Sequence, residues 1–368
     1  MNLVILTSSR ADYGIYLPLL KKLKADHFFK FKIIAFGTHL SEKYGNTIEQ
    51  IYNDEFDVAY KIETILDTNS PEMISKSMAT TIGKFAEVWA NEKSSLDYIL
   101  CLGDRYEMFA AITASIPFNI PIAHIHGGET TLGAIDNSFR HSLTAMSKLH
   151  FTSTQNHANR VSQIIGTEKQ VYNVGALSLD NLFDIDILSV QAFKQKFKIE
   201  LNNPILVTFH PETVAYEKNE QYVDELIAAL NVFEKQILIT MPNADTMGDI
   251  IRTKLSEFAK HKSNFVIVES LGTVGYFSCL QHCDFVLGNS SSGIIEAASF
   301  GKYFINLGAR QLGRDCGSNV IHCEIEKDKI LNAVQSINKF PVIGKENIYG
   351  DGNTANKIIS IFKSQKSA

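Results

Sequence analysis

Between Leu96 and Phe151 the chain reads LDYILCLGDRYEMFAAITASIPFNIPIAHIHGGETTLGAIDNSFRHSLTAMSKLHF, and two corners in it concentrate titratable groups. Gly103-Asp104-Arg105 is one; His124-Ile125-His126-Gly127-Gly128-Glu129, followed shortly by Asp136, Arg140 and His141, is the other. Acids crowded into one cleft take different pKa values, so one can serve as base while another serves as acid. His126 adds a group whose ordinary pKa is about 6.5. Asp104 also reads as a local partner of Arg105, and Asp136 as a helix cap before Phe139. Glu129, after two glycines, has no such local account. The candidate acid–base residues are therefore Asp104, His126, Glu129 and Asp136.

A second chemistry lies in Gly288-Asn289-Ser290-Ser291-Ser292-Gly293-Ile294-Ile295-Glu296. Small hydroxyl residues at a helix start leave backbone N–H groups free and add side-chain donors, an anion site suited to a diphosphate. Glu296, about one turn in, is placed to accept both hydroxyls of a ribose. Ordinary N-capping explains one serine but not three flanked by glycines. Neither GxGxxG nor GxxxxGK[ST] occurs, so this is neither a dinucleotide fingerprint nor a Walker loop. His210-Pro211-Glu212-Thr213 and Met241-Pro242-Asn243-Ala244-Asp245 are further strand-end corners, and Arg10 and Arg310 are single cations on corners of their own. Each arginine taken alone reads as a solvated surface residue, and His210 reads equally as structural or functional.

Strands and helices must alternate to carry these corners. Asn2 to Thr7, Phe31 to Phe36, YILCL and PIAHIH are apolar runs with the look of buried parallel strands, and helices fall between them. A helix is expected over Asp67 to Ala90, with Ile74, Met78, Ile82 and Phe85 on one face. Asp180 to Asn203 changes character and ends in Asn202-Asn203-Pro204, after which PILVTF, QILITM, NFVIVE, DFVLG and YFINLG restart the alternation. The fold class is α/β: two doubly wound Rossmann-like domains facing across a cleft. Residues 1–185 form the first, with the acid–base groups, and 186–350 the second. The helix in 351–368 is expected to pack back on the first.

At 368 residues, 45% hydrophobic, the chain is long enough for two cores. A formal net charge of -5 with 20% charged residues argues against a nucleic-acid binder driven by bulk charge. No secretory leader and no run of about 18 apolar residues is present, so a cytoplasmic protein outside the membrane is expected. Cys101, Cys279, Cys283, Cys316 and Cys323 form no CxxC pair and are expected as reduced thiols. Cys279, His282 and Cys283 lack a second pair of ligands, so no metal is expected, and no cofactor either.

Ser9-Arg10-Ala11-Asp12-Tyr13-Gly14, Gly103-Asp104-Arg105-Tyr106-Glu107, HIHGGE with Asp136 and Phe139-Arg140-His141-Ser142, His210-Pro211-Glu212-Thr213, PNAD, GNSSSGIIE and LGARQLGR occur in this order. Together, from residue 2 to about residue 325, they resemble the hydrolysing UDP-N-acetylglucosamine 2-epimerases of sialic acid biosynthesis. The resemblance implies a GT-B-like pair of domains. It implies loss of UDP to a 2-acetamidoglucal and addition of water with inversion at C2, giving N-acetylmannosamine. It also implies a UDP-sugar substrate, UDP as product, and a homodimer or larger assembly. By position, Arg10, Arg105, His210, Asn243, Ser290, Ser291, Glu296 and Arg310 would hold substrate. Asp104 and Asp136 match carboxylates considered catalytic in the family, with His126, Glu129 and His210 as further catalytic candidates. Animal-type relatives carry a glutamate where this chain has His126, and one residue is inserted here between Glu129 and Asp136. Base and acid are therefore not assigned individually.

The same motifs would serve UDP-2,4-diacetamido-2,4,6-trideoxyglucose in legionaminic acid biosynthesis. A glycosyltransferase on the same scaffold would need an acceptor groove and no acids around C2. A non-catalytic nucleotide-sugar sensor would not require Asp104, Glu129 and Asp136 together.

Overall fold

A computed structural model describes residues 1–42, 45–64, 70–130, 132, 135–182, 185–212, 216–242, 248–260, 262–337 and 339–367. Asn243, Ala244 and Asp245 of the PNAD corner, Thr213, and helix residues 67–69 lie outside the described residues.

The chain forms two compact units, one of 1–129, 136–184 and 349–368, the other of 130–135 and 185–348. In the first, β1 (Asn2–Thr7), α1 (Arg10–Ala25), β2 (Lys30–Phe36), α2 (Ile48–Asn53), β3 (Val58–Ile62), α3 (Pro71–Glu92) and β4 (Tyr98–Leu102) follow in order. Then come α4 (Tyr106–Thr113), β5 (Ile122–Ile125), α5 (Asp136–Met146), β6 (Leu149–Thr152), α6 (Gln155–Ile165) and β7 (Val171–Asn173). The second unit holds α7 (Val190–Phe197), β8 (Ile205–Thr208), α8 (Asn219–Leu230), β9 (Ile237–Thr240), α9 (Gly248–Ala259) and β10 (Phe265–Val268). It continues with α10 (Gly272–His282), β11 (Val286–Gly288), α11 (Ser291–Ile295), β12 (Phe304–Leu307), β13 (Val320–Cys323) and α12 (Lys327–Ile337). The chain then returns to the first unit as α13 (Thr354–Ser367).

Both sheets are parallel, ordered β3-β2-β1-β4-β5-β6-β7 and β10-β9-β8-β11-β12-β13. Helices cover both faces of such a sheet, so its central strands are mostly apolar on both faces. In β1, Leu3 and Ile5 face one core with Tyr16, Leu20, Phe151 and, from α13, Ile358 and Phe362. Val4 and Leu6 face the other, with Phe85 and Trp89 of α3 and Met108 of α4. Ser70 caps α3 by accepting from the Met73 N–H, and Pro71 at the first helical position fixes where that helix begins. In the second unit, Val207, Ile239, Leu287 and Ile305 pack with Leu226 of α8, Leu255 of α9 and Ile330 of α12. The run 130–135 belongs to this second unit, where the Leu132 N–H donates to the Leu312 carbonyl at 2.9 Å.

Candidate active site

Each sheet reverses its strand order once, between β1 and β4 and between β8 and β11. Crossovers leave such a point in opposite directions, and a crevice opens outside the carboxyl ends of the two strands. Residues 8–10 and 103–105 follow the strands at the first crevice; 209–212 and 289–292 follow those at the second.

Arg140 organises the first crevice. It lies on α5 one turn beyond Asp136 and is 3% exposed. Its Nη2 donates to Asp104 Oδ2, its Nη1 donates to the His126 carbonyl at 2.8 Å, and Nη1 lies 3.6 Å from Glu129 Oε2. One cation is thus shared by two acids from different corners. Glu129, 2% exposed, accepts from Ser153 Oγ at 2.8 Å and sits 3.2 Å from His126 Nδ1. The Leu177 backbone N–H donates to His126 Nε2 at 3.3 Å. That donor requires a bare Nε2, so a neutral His126 carries its proton on Nδ1, facing Glu129. Both ring nitrogens of His126 are therefore engaged within the protein.

Asp104 keeps 22% of its side chain exposed and Asp136 is half-buried, so these two of the three acids reach solvent. Burial, followed by the negative charge of Asp104, raises the Asp136 carboxyl from 3.8 to about 6, against the opposing charges of Arg105 and Arg140. Arg105 turns toward Glu107, with contacts of 2.8 and 3.2 Å. Arg10, the first residue of α1, is exposed.

The two corners are joined through His124, whose Nε2 donates to the Gly103 carbonyl at 2.9 Å. Burial lowers this imidazole to about 3, so it stays neutral and structural. The paired glycines of the motif have a packing reason. A Cβ on Gly127 would stand 3.0 Å from His124 Nδ1, and one on Gly128 (φ +77) would stand 2.3 Å from the His157 carbonyl. Only glycine lets this turn press against the first turn of α6.

At the second crevice Asn289 binds the His210 backbone on both sides. Its Oδ1 accepts from the His210 N–H at 2.7 Å and its Nδ2 donates to the His210 carbonyl at 2.9 Å. Its own carbonyl accepts from Arg310 Nη1 at 3.2 Å and Gln311 Nε2 at 2.9 Å. His210 is lowered to about 3, by burial first and by the Arg310 charge second, and its buried Nδ1 has no hydrogen-bond partner among the described residues. Glu212 Oε1 accepts from the Ala309 N–H at 2.7 Å, holding the loop that carries Arg310. Ser290 caps α11 by accepting from the Ser292 N–H, Ser291 is half-buried beside it, and Glu296 is the buried C-cap. Gly288 (φ +141) lets β11 approach β8: a Cβ there would be 1.9 Å from the Thr208 carbonyl.

The model of the family described as UDP-N-acetylglucosamine 2-epimerase matches residues 21–363. The chain belongs to the UDP-N-acetylglucosamine 2-epimerase family. It is 35% identical over 336 residues to a polysialic acid biosynthesis protein of Escherichia coli, covering 90% of this chain and 85% of that one. It is 33% identical over 363 residues to the UDP-N,N'-diacetylbacillosamine 2-epimerase (hydrolyzing) of Legionella pneumophila, covering 98% and 95%. Among solved structures, the UDP-GlcNAc 2-epimerase of Neisseria meningitidis bound to UDP-GlcNAc superposes with a TM-score of 0.83 at 18% identity, covering 99% of this chain and 100% of that one. That likeness shows the fold: two parallel α/β units of the GT-B-like class. As a member of the 2-epimerase family, this chain is an enzyme of nucleotide-sugar metabolism.

Residue types in the corners point to Asp104, His126, Glu129, Asp136, His210, Ser290, Ser291 and Glu296, and the family resemblance adds Arg310. They do not show that Arg140 links two of the acids, that Ser153 reaches Glu129 with His157 behind it, or that Asn289 and Glu212 build the corner around His210 and Arg310. For Arg140 a signal existed, its place four residues after Asp136 on one helix. For Ser153 and His157 none did, because their approach depends on how closely α6 meets the glycine turn.

Proposed function

We propose that this enzyme is a hydrolysing 2-epimerase that converts UDP-N-acetylglucosamine to N-acetylmannosamine and UDP. In the first step the C2–H bond and the C1–O bond to the diphosphate break. The proton passes to a base, UDP departs with the electron pair, and a C1=C2 double bond forms. In the second step C2 takes a proton on the opposite face, water adds its oxygen to C1, and the proton that water loses passes to the carboxylate just emptied or to solvent. The observation that carries this reading is a pair of solvent-reaching carboxylates in unlike surroundings. Asp104 is paired with the Arg140 guanidinium, while burial and the Asp104 charge raise the Asp136 carboxyl to about 6. A bound diphosphate would add negative charge and raise it further.

In this reading Asp104 takes the C2 proton and Asp136 supplies one to the other face. His126, with both nitrogens engaged, orients Glu129 and does not exchange protons with the sugar. The second unit holds UDP. Ser290, Ser291 and Arg310 meet the diphosphate, the open Nδ1 of His210, carrying its proton, donates to it, and Glu296 meets the ribose. Arg10, Arg105 and Asn243 complete the binding set. The protein works in the cytoplasm as a homo-oligomer.

A second substrate has support of its own. A relative covering 98% of this chain is named for UDP-N,N'-diacetylbacillosamine, a sugar that differs at C4 and C6 and leaves C1 and C2 chemistry unchanged. Incubation of the protein with each sugar in D2O, followed by NMR, tests both readings. UDP, free N-acetylmannosamine and deuterium at C2 are expected from UDP-N-acetylglucosamine. Turnover of the diacetamido sugar alone would transfer the assignment to it, and retention of the original C2 proton would refute elimination.

A further inference from the structure

Glu129 is the one acid of the cluster sealed from solvent, and Ser153 and His157 are packed behind it. Ser153 Oγ lies 2.8 Å from Glu129 Oε1 and 2.9 Å from His157 Nδ1, with Ser153 1% and His157 0% exposed. A serine hydroxyl has one proton. Given to the carboxylate, it obliges His157 Nδ1 to be the donor to Ser153 Oγ. From the other side the Leu177 N–H fixes the Nδ1–H form of His126, which points at the same Oε1 at 3.2 Å. Two neutral donors therefore converge on one carboxylate oxygen, while the other oxygen faces Arg140. The backbone enforces this arrangement. Thr154 caps α6 by accepting from the His157 N–H at 3.2 Å, Arg160 Nη1 donates to the Gly128 carbonyl at 2.6 Å, and Gly128 abuts the His157 carbonyl.

We propose that His157, Ser153 and His126 form a hydrogen-bonded brace that holds Glu129 ionised, and that the braced Glu129 sets the position of Arg140 and, through it, of Asp104. Ser153 and His157 are then positioning residues, acting through Glu129 and not on the sugar. The brace stands on geometry; its effect on turnover rests on the acid–base reading of Asp104 above.

The test combines a spectroscopic and a kinetic readout. In protein labelled with 15N-histidine, long-range 1H–15N spectra should show His126 and His157 both as Nδ1–H tautomers. Ser153→Ala removes the acceptor of His157, which should lose that signature. Its kcat on UDP-N-acetylglucosamine should fall at least about tenfold, the scale of a lost charge-assisted hydrogen bond, with KM changed less than about twofold. Ser153→Thr, which keeps a hydroxyl, should recover most of the lost kcat. Because the residues act in series, Ser153→Ala with His157→Leu should be no slower than Ser153→Ala alone. If Ser153→Ala does not fold, His157→Leu alone should show the same tenfold fall. An Nε2–H form of His157 in the parent protein overturns the brace, as does a parental kcat in Ser153→Ala. A parent protein inactive on both UDP-sugars would refute the proposed reaction, and the histidine spectra would still decide whether the brace exists.

Discussion

At the scale of single residues, the acids differ by environment and not by type. Glu129 is enclosed by donors, Asp104 is tied to a guanidinium at the solvent edge, and Asp136 is half-buried with a like charge nearby. The pH consequence follows from the sign of the Asp136 shift. Its folded-state value, about 6, lies above its ordinary 3.8. The protonated form is thus favoured in the folded protein, and the stability it contributes is whole below about pH 3.8 and lost as pH rises through about 6. Asp136→Asn keeps the neutral form at every pH. Relative to the parent, its thermal midpoint should therefore rise between pH 4 and pH 8, a trend visible in paired melting curves. Carbon-13 titration of the labelled carboxyls offers a second check: Asp104→Asn, by removing the like charge, should lower the Asp136 value. An Asp136 that titrates near 4 in the parent protein would contradict both expectations.

Elements bring these residues together, and here the sequence was legible to different depths. Central strands such as β1, β4, β5, β8 and β9 are almost wholly buried, so each stands out as a largely apolar run, broken in β5 by His124. Edge strands do not. Val58–Ile62 alternates half-buried and exposed residues up to the buried Ile62, and Val320–Cys323 has a histidine at an exposed position, so neither reads as a strand by apolarity. Helix α7 escapes notice because it buries Phe193 alone. At the site, the HIHGGE motif displays the residue types, but the meeting of Glu129 with Ser153 depends on two glycines allowing a turn to touch α6, which no local pattern encodes. That dependence can be measured. Gly128 (φ +77) and Gly166 (φ +73) share a left-handed backbone, yet a Cβ on Gly128 would strike the His157 carbonyl at 2.3 Å while one on Gly166 would meet nothing within 4 Å. Gly166→Ala should cost about 1–2 kcal/mol, the penalty of a left-handed L-residue. Gly128→Ala should cost clearly more in urea denaturation, because backbone must move as well. Equal losses would mean that the turn does not press on α6 as described.

For the whole molecule, the path of the chain matters more than its order. The last helix, α13, follows all of the second unit in sequence yet belongs to the first. Its start is anchored by Asp180, whose carboxylate accepts from the Thr354 and Ala355 backbone N–H groups at 2.9 and 2.7 Å. Its apolar face enters the core under the first sheet, where the fully buried Phe362 ring lies 5.3 Å from Phe151 and 6.4 Å from Phe29. The first unit is therefore incomplete until the chain has passed through the second and come back. Truncating this ring should remove about 3–5 kcal/mol, the usual loss for a buried phenylalanine, from one unit only. In Phe362→Ala, hydrogen exchange followed by mass spectrometry should accelerate in β1, α1 and β6, which share that core, and leave β8, β9 and β11 at parental rates. A uniform rise across both sheets would show instead that the units unfold as a single cooperative body.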